Sequence, residues 1–175
     1  MKKTFLFLAA LAMSAMMWAA EQTLTFNLSS NPGNWPTTNP TSLTNYTYTL
    51  EDVDYTFGLN NVKCNKGYTM FTATAVMGLP AIEGYKLTKV VASNSSNCST
   101  TTKVGISSSS ESANYISGGD AQTWATQGSS YTYELDETSD NTVYYLYVTS
   151  KNAQVTELEL TYTDGTSPTV TLDSL

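Results

Sequence analysis

Two tryptophans are the side chains of this sequence best suited to bind a ligand. Trp35 lies in NPGNWPTTNPTS (31–42), a stretch with three prolines and a glycine where an indole has little reason to form a core. Trp124 follows a Gly-Gly-Asp sequence that ends at Asp120. The face of an exposed aromatic ring stacks on the C–H face of a sugar, and Asn or Asp neighbours supply hydrogen bonds. We therefore expect Trp35, Trp124 and Asp120 to bind carbohydrate; alternatively, each indole closes an open end of the fold.

The chain has two cysteines, Cys64 and Cys98. In an oxidising compartment an even pair favours one disulfide. The enclosed loop of about 35 residues would then contribute roughly 3–4 kcal/mol to stability. The alternative is two buried thiols, which pack as small apolar side chains.

Acidic residues crowd two turns, one with Glu51, Asp52 and Asp54 and one with Asp136, Glu137 and Asp140. Calcium takes six to eight oxygen ligands, which such turns can supply. Neither cluster has the spacing of a known calcium loop, and acidic residues are also common in solvated turns. We predict no metal site and no cofactor, with calcium at these turns left as an alternative.

The complete absence of histidine and arginine narrows the possible chemistry further. A Ser–His–Asp triad and a Cys–His pair are both impossible. No nucleophile-elbow motif and no phosphate-binding glycine loop is present. Hydrolysis of a glycosidic bond needs only two carboxylates and stays possible. We predict no catalytic residues and a protein that is not an enzyme.

The elements that must position these residues are strands, because apolar and polar residues alternate with period two along the chain. Thr, Tyr and Val dominate, and these residues pack well on pleated sheets. No window of twelve or more residues after position 20 has helical spacing. The segments that we predict as strands are 22–28, 46–50, 53–57, 62–65, 68–76, 85–93, 102–107, 113–117, 121–126, 131–135, 141–150 and 155–162. Short strands at this spacing predict an all-β fold, an antiparallel, jelly-roll-like β-sandwich.

One predicted strand, NTVYYLYVTS (141–150), is apolar on both faces. Val143, Tyr145 and Tyr147 alternate with apolar residues on the other side. A strand covered on both sides belongs in the middle of a sheet. The turn at Glu51-Asp52 separates two alternating segments and predicts a tight hairpin.

Residues 1–20 have the pattern of a signal peptide, with Lys2 and Lys3 before an apolar stretch and Ala19-Ala20 at its end. We predict one domain at 21–163 and a tail or linker at 164–175. After residue 20 the chain has six lysines (eight minus Lys2 and Lys3) against fifteen acids, a net charge of −9. Such a surface repels nucleic acid and anionic lipid. We expect a secreted, cell-surface or periplasmic protein that does not insert into the membrane.

The segments GLPAIEGYKLTKVVASNSS, TKVGISSSS, NTVYYLYVTSKNAQ and VTELELTYT resemble a type of β-sandwich domain in secreted proteins of gut Bacteroidetes. The resemblance covers roughly residues 22–163 and implies a jelly-roll-like surface module with no signature catalytic residues. Domains of this type commonly accompany glycan-handling or adhesion proteins. We therefore expect an exported, non-catalytic module that binds carbohydrate, with a glycan or a surface protein as its partner. The alternative is a structural or adhesive surface protein without a small-molecule ligand.

Overall fold

The computed structural model describes residues 21–32 and 34–165, where every regular element is a β-strand. The strands are β1 (Glu21–Asn27), β2 (Thr44–Leu50), β3 (Val53–Asn65), β4 (Tyr68–Gly78), β5 (Tyr85–Asn94), β6 (Lys103–Ser107), β7 (Gln122–Thr123), β8 (Ser130–Glu134), β9 (Tyr145–Ser150) and β10 (Ala153–Asp164). The fold is an antiparallel, jelly-roll-like β-sandwich, which confirms the predicted class. The predicted signal peptide, and the predicted tail beyond Gly165, lie outside the described residues. In the described ranges no helix is long and apolar enough to cross a bilayer.

The strands form one hydrogen-bonded sheet that folds back into two layers. The first layer, termed the groove sheet, has the order β2-β3-β4-β9-β6-β7, and the second, termed the flat sheet, has the order β8-β5-β10-β1. Strand β4 belongs to both layers, since residues 69–71 pair with β10 and residues 76–78 pair with β9. Strand β9 lies between β4 and β6, so the predicted central strand is confirmed.

The core lies between the two layers and is filled by alternate residues of the strands. On β1 and β10, Leu24 faces Leu160 and Phe26 faces Leu158 in register, and all four are buried. Across the sandwich, the ring centroids of Phe26 and Phe57 are 5.0 Å apart in an edge-to-face arrangement, which aromatic rings favour. Period-two alternation thus places the apolar side of each strand inward.

Two buried tyrosines connect the flat sheet to the groove sheet. The hydroxyl of Tyr133 on β8 donates to the carbonyl of Val104 on β6, with a donor–acceptor distance of 2.7 Å. The hydroxyl of Tyr162 on β10 donates at the same distance to the carbonyl of Pro80, just after β4. Burial raises the pKa of both hydroxyls well above its ordinary value, because an ionised oxygen would lose its hydration.

The structure departs from the predicted strands at four places. The strand predicted over 141–150 is extended only from Tyr145 onward, as β9. Segments 53–57 and 62–65 form the single strand β3, which continues through a bend at Asn61. Residues 113–117 make only one bridge, between Ser107 and Tyr115, because this loop folds over the outer face of β6. Of 121–126 only β7 is extended, since the chain turns after Thr123 and directs Trp124 into the core.

Candidate functional site

Trp35 is buried rather than exposed, with 3% of its surface accessible. Its indole N–H donates to the carbonyl of Thr47 on β2 at 3.0 Å. Its ring packs edge-on against Phe57, at 5.2 Å between centroids, and against Tyr48. The ring therefore fills the space between β2 and the core, and in this structure it presents no free face to a sugar.

The proline-rich loop around Trp35 lies along the part of β3 that extends beyond β2. The amide of Cys64 donates to the carbonyl of Pro36 at 2.7 Å, and the amide of Asn61 donates to that of Pro40 at 2.9 Å. The loop thus satisfies donors at a sheet edge, and this contact draws Trp35 inward.

Trp124 is fully buried at the opposite seam of the sandwich, between β7 and β8. Its indole N–H donates to the hydroxyl of Tyr133 at 3.1 Å, and its ring stacks on Tyr131 at a centroid distance of 5.2 Å. Neither tryptophan presents the exposed ring on which the predicted carbohydrate platform depends. Trp124 instead fills the space between β7 and β8, whose backbones do not pair with each other, and Trp35 fills the space between β2 and the core.

The predicted disulfide is wrong for this structure, because Cys64 and Cys98 are both free, and they are not at bonding distance. Both thiols are buried, and burial raises the pKa of each. The Cys64 sulfur lies 3.6 Å from the hydroxyl of Thr69. The two cysteines therefore pack as small core residues.

A more promising surface is the outer face of the groove sheet, termed the groove face. Two rows of residues on the side away from the core cross strands β2, β3, β4, β9 and β6 in register, and two of their members, Val76 and Ser107, are themselves buried. The first row is Asn45, Gly58, Gly78, Tyr145 and Ser107, and the second is Asn60, Val76, Tyr147 and Gly105, extended by Leu43 at the start of β2. Their neighbours along each strand, such as Phe57, Met77 and Leu146, are the core residues.

Three glycines keep the floor of this face low. A carbon at the Cβ position of Gly58 would lie 3.1 Å from the Leu43 side chain, and one at Gly78 would lie 3.3 Å from the side chains of Tyr145 and Val143. At Gly105 the same carbon would approach Tyr115 Cε1 to 2.5 Å. The neighbouring tyrosine and leucine side chains therefore lean over space that a larger residue would fill.

Two adjacent hollows open on the groove face. The larger, termed the polar hollow, has a volume of about 370 Å³ and is lined by Leu43, Asn60, Asn61, Thr74, Ser110, Glu111 and Tyr147. The smaller, termed the apolar hollow, has a volume of about 220 Å³ and is lined by Leu43, Asn45, Thr56, Gly58, Gly78, Leu79, Ala81, Val143 and Tyr145. Both tyrosine side chains are half-buried, so each ring is held in place while part of it stays accessible.

The wall of the polar hollow is built from strained backbone. Asn61 and Thr74 have φ angles of 56° and 69°, in the left-handed region that a β-branched residue rarely adopts. They lie where β3 and β4 bend, and residues 72–75 of β4 bulge out opposite Asn61 alone. The Thr72 hydroxyl supports the bend by donating to the Asn61 carbonyl at 3.1 Å. Strain of about 1–3 kcal/mol per residue of this kind tends to cluster at binding sites.

Of the three residues predicted to bind a ligand, Asp120 alone lies close to the groove face. It is exposed and near Tyr115, whose ring covers Gly105 at the end of the second row. Burial raises the pKa of Tyr115, and the nearby Tyr147 hydroxyl and Asp120 carboxylate act in the same direction. Tyr115, Tyr147 and Asp120 therefore lie near one another at the end of the second row.

The acidic turns show no sign of a metal centre. Glu51 and Asp52 form the hairpin turn between β2 and β3, both with left-handed φ angles, and Asp54 accepts a hydrogen bond from the Thr49 hydroxyl at 2.7 Å. Across residues 21–32 and 34–165, no three acidic or cysteine side chains are grouped so that they could hold an ion.

A third cavity, of about 550 Å³, lies beside the turn between β3 and β4. Its lining consists of short polar side chains with Cys64, Gly67 and Lys66, and it has no aromatic ring. It lacks the combination of a ring face and hydrogen-bonding groups that the groove face offers.

Sequence reasoning missed the two tyrosines of the groove face. Tyr145 and Tyr147 were expected to be covered because the strand is apolar on both sides, whereas the structure leaves both half-buried, with the Tyr145 ring beside Gly78. The one available signal was Gly105 inside the predicted strand 102–107, since a glycine inside a strand often marks the approach of another group. Gly58 and Gly78 fell just beyond the predicted strands 53–57 and 68–76 and gave no such signal.

A comparison of the chain with family models, with curated proteins and with solved structures finds no match in any of the three. The function must therefore be argued from the geometry of the groove face itself.

Proposed function

We propose that this protein is an exported, non-catalytic module that binds carbohydrate on its groove face. The observation that carries the proposal is the pair Tyr145 and Tyr147, two residues apart on one face of β9, each in register with a glycine of a neighbouring strand and flanked by amides and hydroxyls. A sugar presents C–H groups on its ring faces and hydroxyls at its edge. Tyrosine rings suit the first and groups such as Asn60 and Ser110 suit the second.

The carboxylates near the groove favour binding over cleavage. Hydrolysis of a glycosidic bond needs two carboxyl groups that face each other across the scissile bond. Glu111 is the single acid that lines either hollow, and the third cavity has none. The linings of the two hollows therefore support retention of a sugar without a reaction.

Affinity electrophoresis tests the proposal, with native gels that contain β-glucan, xylan, galactomannan or starch. We expect at least one polysaccharide to retard the protein, and Tyr147→Ala to weaken the retardation by about tenfold or more, the equivalent of ~1.4 kcal/mol. Tyr68→Ala is the matched control, because Tyr68 is also a half-buried tyrosine. It lies at the start of β4, far from residues 76–78 of that strand, which pair with Tyr145 and Tyr147 of β9. Failure of every polysaccharide to retard the protein would overturn the proposal, as would equal effects of the two variants.

The competing function is a structural or adhesive surface protein that associates through its own surfaces. Size-exclusion chromatography over a range of concentrations separates the two. A constant elution volume together with retardation by a polysaccharide supports the carbohydrate module. Assembly that grows with concentration, without retardation by any sugar, supports the adhesive protein.

The export part of the proposal rests on the pattern of residues 1–20. Sequencing the N-terminus of the protein recovered outside the cytoplasm tests it. We expect a mature terminus close to Glu21, and recovery of a chain that still begins at Met1 would contradict cleavage.

A further inference from the structure

Building on the proposed function, we propose that the groove face takes an uncharged, linear glycan of at least two sugar residues, laid along the strands with one residue in each hollow. The proposal concerns the class of ligand and its direction on the sheet. It follows from how the two hollows are joined, how their linings differ and which charges surround them.

The two hollows are neighbours along the strands. Leu43 lines both of them, so a ligand can pass from one to the other across this side chain. Tyr147 belongs to the polar hollow, and Tyr145, two residues earlier on β9, belongs to the apolar hollow. Residues two apart on one face of a strand are about 7 Å from each other. The two rings therefore offer two stacking positions in series along the strand axis.

The linings of the two hollows differ, so we expect each hollow to bind its sugar residue by different contacts. In the polar hollow, Asn60, Asn61, Ser110 and Glu111 supply donors and acceptors beside Tyr147. The side-chain oxygen of Asn60 is buried and, among the described residues, has no hydrogen-bond partner. A buried acceptor of this kind gains a hydrogen bond when a sugar hydroxyl reaches it.

The apolar hollow is suited to a second sugar held mainly by its ring face. Gly58 and Gly78 form its floor, and Tyr145 and Val143 stand beside Gly78. Leu43 and Val143 are among the few large apolar side chains that are exposed, at 40% and 41% accessibility. Covering them with the C–H face of a sugar removes apolar area from water, which favours binding.

The charge of the groove selects against anionic glycans. Neither hollow is lined by a lysine, and the chain has no arginine or histidine. The single charged group is the Glu111 carboxylate, in a chain whose net charge is already −7. A uronic acid or a sulfate in the groove would meet a like charge with no cation to pair with it, which costs binding energy.

Isothermal titration with mono-, di- and tetrasaccharides of the retarding polysaccharide tests the length of the site. We expect the affinity to rise at least tenfold from the mono- to the disaccharide. Leu43→Ala removes an exposed side chain that lines both hollows and should lower the disaccharide affinity severalfold. Thr25→Ala, on the outer face of the flat sheet, is the control and should leave that affinity unchanged. Equal affinities for the mono- and disaccharide would overturn the two-position site.

Affinity electrophoresis with polygalacturonate, alginate and heparin tests the charge of the ligand. We expect no retardation by these three polymers under conditions where the neutral polysaccharide retards the protein. Retardation by an anionic polymer alone would overturn this inference and leave the carbohydrate module standing. Retardation by no polysaccharide of either class would overturn both.

Discussion

The two outer faces of the sandwich differ in how the side chains of neighbouring strands meet. On the outer face of the flat sheet, termed the flat face, polar residues that lie in register bond to each other across the strands. The hydroxyl oxygens of Thr23 and Thr161 are 3.1 Å apart, and Lys89 Nζ lies 3.1 Å from the Glu134 carboxylate. The strands of this layer, β1, β5, β8 and β10, contain no glycine.

On the groove face the cross-strand rows are interrupted. Tyr145 lies in register between Gly78 and Ser107, and Tyr147 lies between Val76 and Gly105, so each tyrosine has on one side a residue without a side chain. Side chains in register on a sheet satisfy each other, and removing some of them leaves the others available to a ligand. The proposed binding surface thus combines missing side chains on the strands with Ser110 and Glu111 from the loop after β6.

Alkaline pH should lower the free energy of unfolding by weakening the contacts between the two layers that carry these faces. This is the largest effect that we expect. Tyr133 and Tyr162 connect the layers, and burial raises the pKa of both above the ordinary value of about 10. Their stabilising contribution is therefore complete below pH ~10 and is lost as the pH rises further. Each should remove up to about 1.4 kcal/mol of unfolding free energy per pH unit above that point.

Urea unfolding at about pH 8 and about pH 11 measures this loss. Tyr133→Phe removes one of the two hydroxyls and should give a weaker dependence on pH. An unfolding free energy that is the same at both values would contradict the role given to these tyrosines.

Filling the floor of the groove face should destabilise the fold, whereas a similar change on the flat face should not. In Gly105→Val the new Cβ would lie 2.5 Å from Tyr115 Cε1 and 2.8 Å from the Gly119 carbonyl oxygen. Such overpacking costs about 1–3 kcal/mol, and each kcal/mol lowers the Tm of a domain of this size by roughly 2–4 °C. Thr25→Val, at an exposed position of β1, should cost less than about 0.5 kcal/mol. Equal melting temperatures for the two variants would show that Tyr115 and Gly119 can move to make room for the larger side chain at no cost in stability.

Relieving the backbone strain of Thr74 beside the polar hollow should stabilise the protein. Thr74 has a φ angle of 69°, which glycine adopts without strain. The relief of strain exceeds the added flexibility of the unfolded chain, so we expect Thr74→Gly to gain about 1 kcal/mol in urea unfolding. Thr25→Gly, in a regular part of β1, is the control and should lose about 0.5–1 kcal/mol. A loss at both positions would indicate that the bend carries no strain.

The ion pair of the flat face should matter least. Lys89 and Glu134 are both exposed at the surface, where water screens their attraction. We expect Lys89→Met to leave the Tm and the retardation by polysaccharide without measurable change. A clear loss of retardation would place the ligand on the flat face and reverse the assignment of the two faces.

Much of the strand framework could be predicted from the sequence, because period-two alternation is a local property. The hairpin at Glu51-Asp52 is a case in point, since both residues adopt the left-handed φ angles of a tight turn. Interruptions of this alternation also mark real features of the strands. Asn61 breaks the alternation of β3 without ending the strand, and sequence alone does not separate a bend from a boundary.

The residues of the candidate site depended on relations between strands that alternation does not contain. Trp35 was expected to be exposed because its loop is rich in proline, yet the same loop bonds to β3 and draws the ring inward. Tyr147 lies beside Val76 and Gly105 only through the pairing of β4, β9 and β6. The disulfide prediction was wrong because it also depended on how distant segments pack. An even number of cysteines says nothing about the separation of Cys64 and Cys98.

The carbonyls that Pro36 and Pro40 offer to β3 have a consequence for behaviour in concentrated solution. Fibril growth requires that each added strand leave a fresh line of amide donors for the next one. A proline has no N–H, so the loop occupies the donors of Asn61 and Cys64 while exposing fewer of its own. This edge of the sheet is therefore a poor template for the addition of further strands.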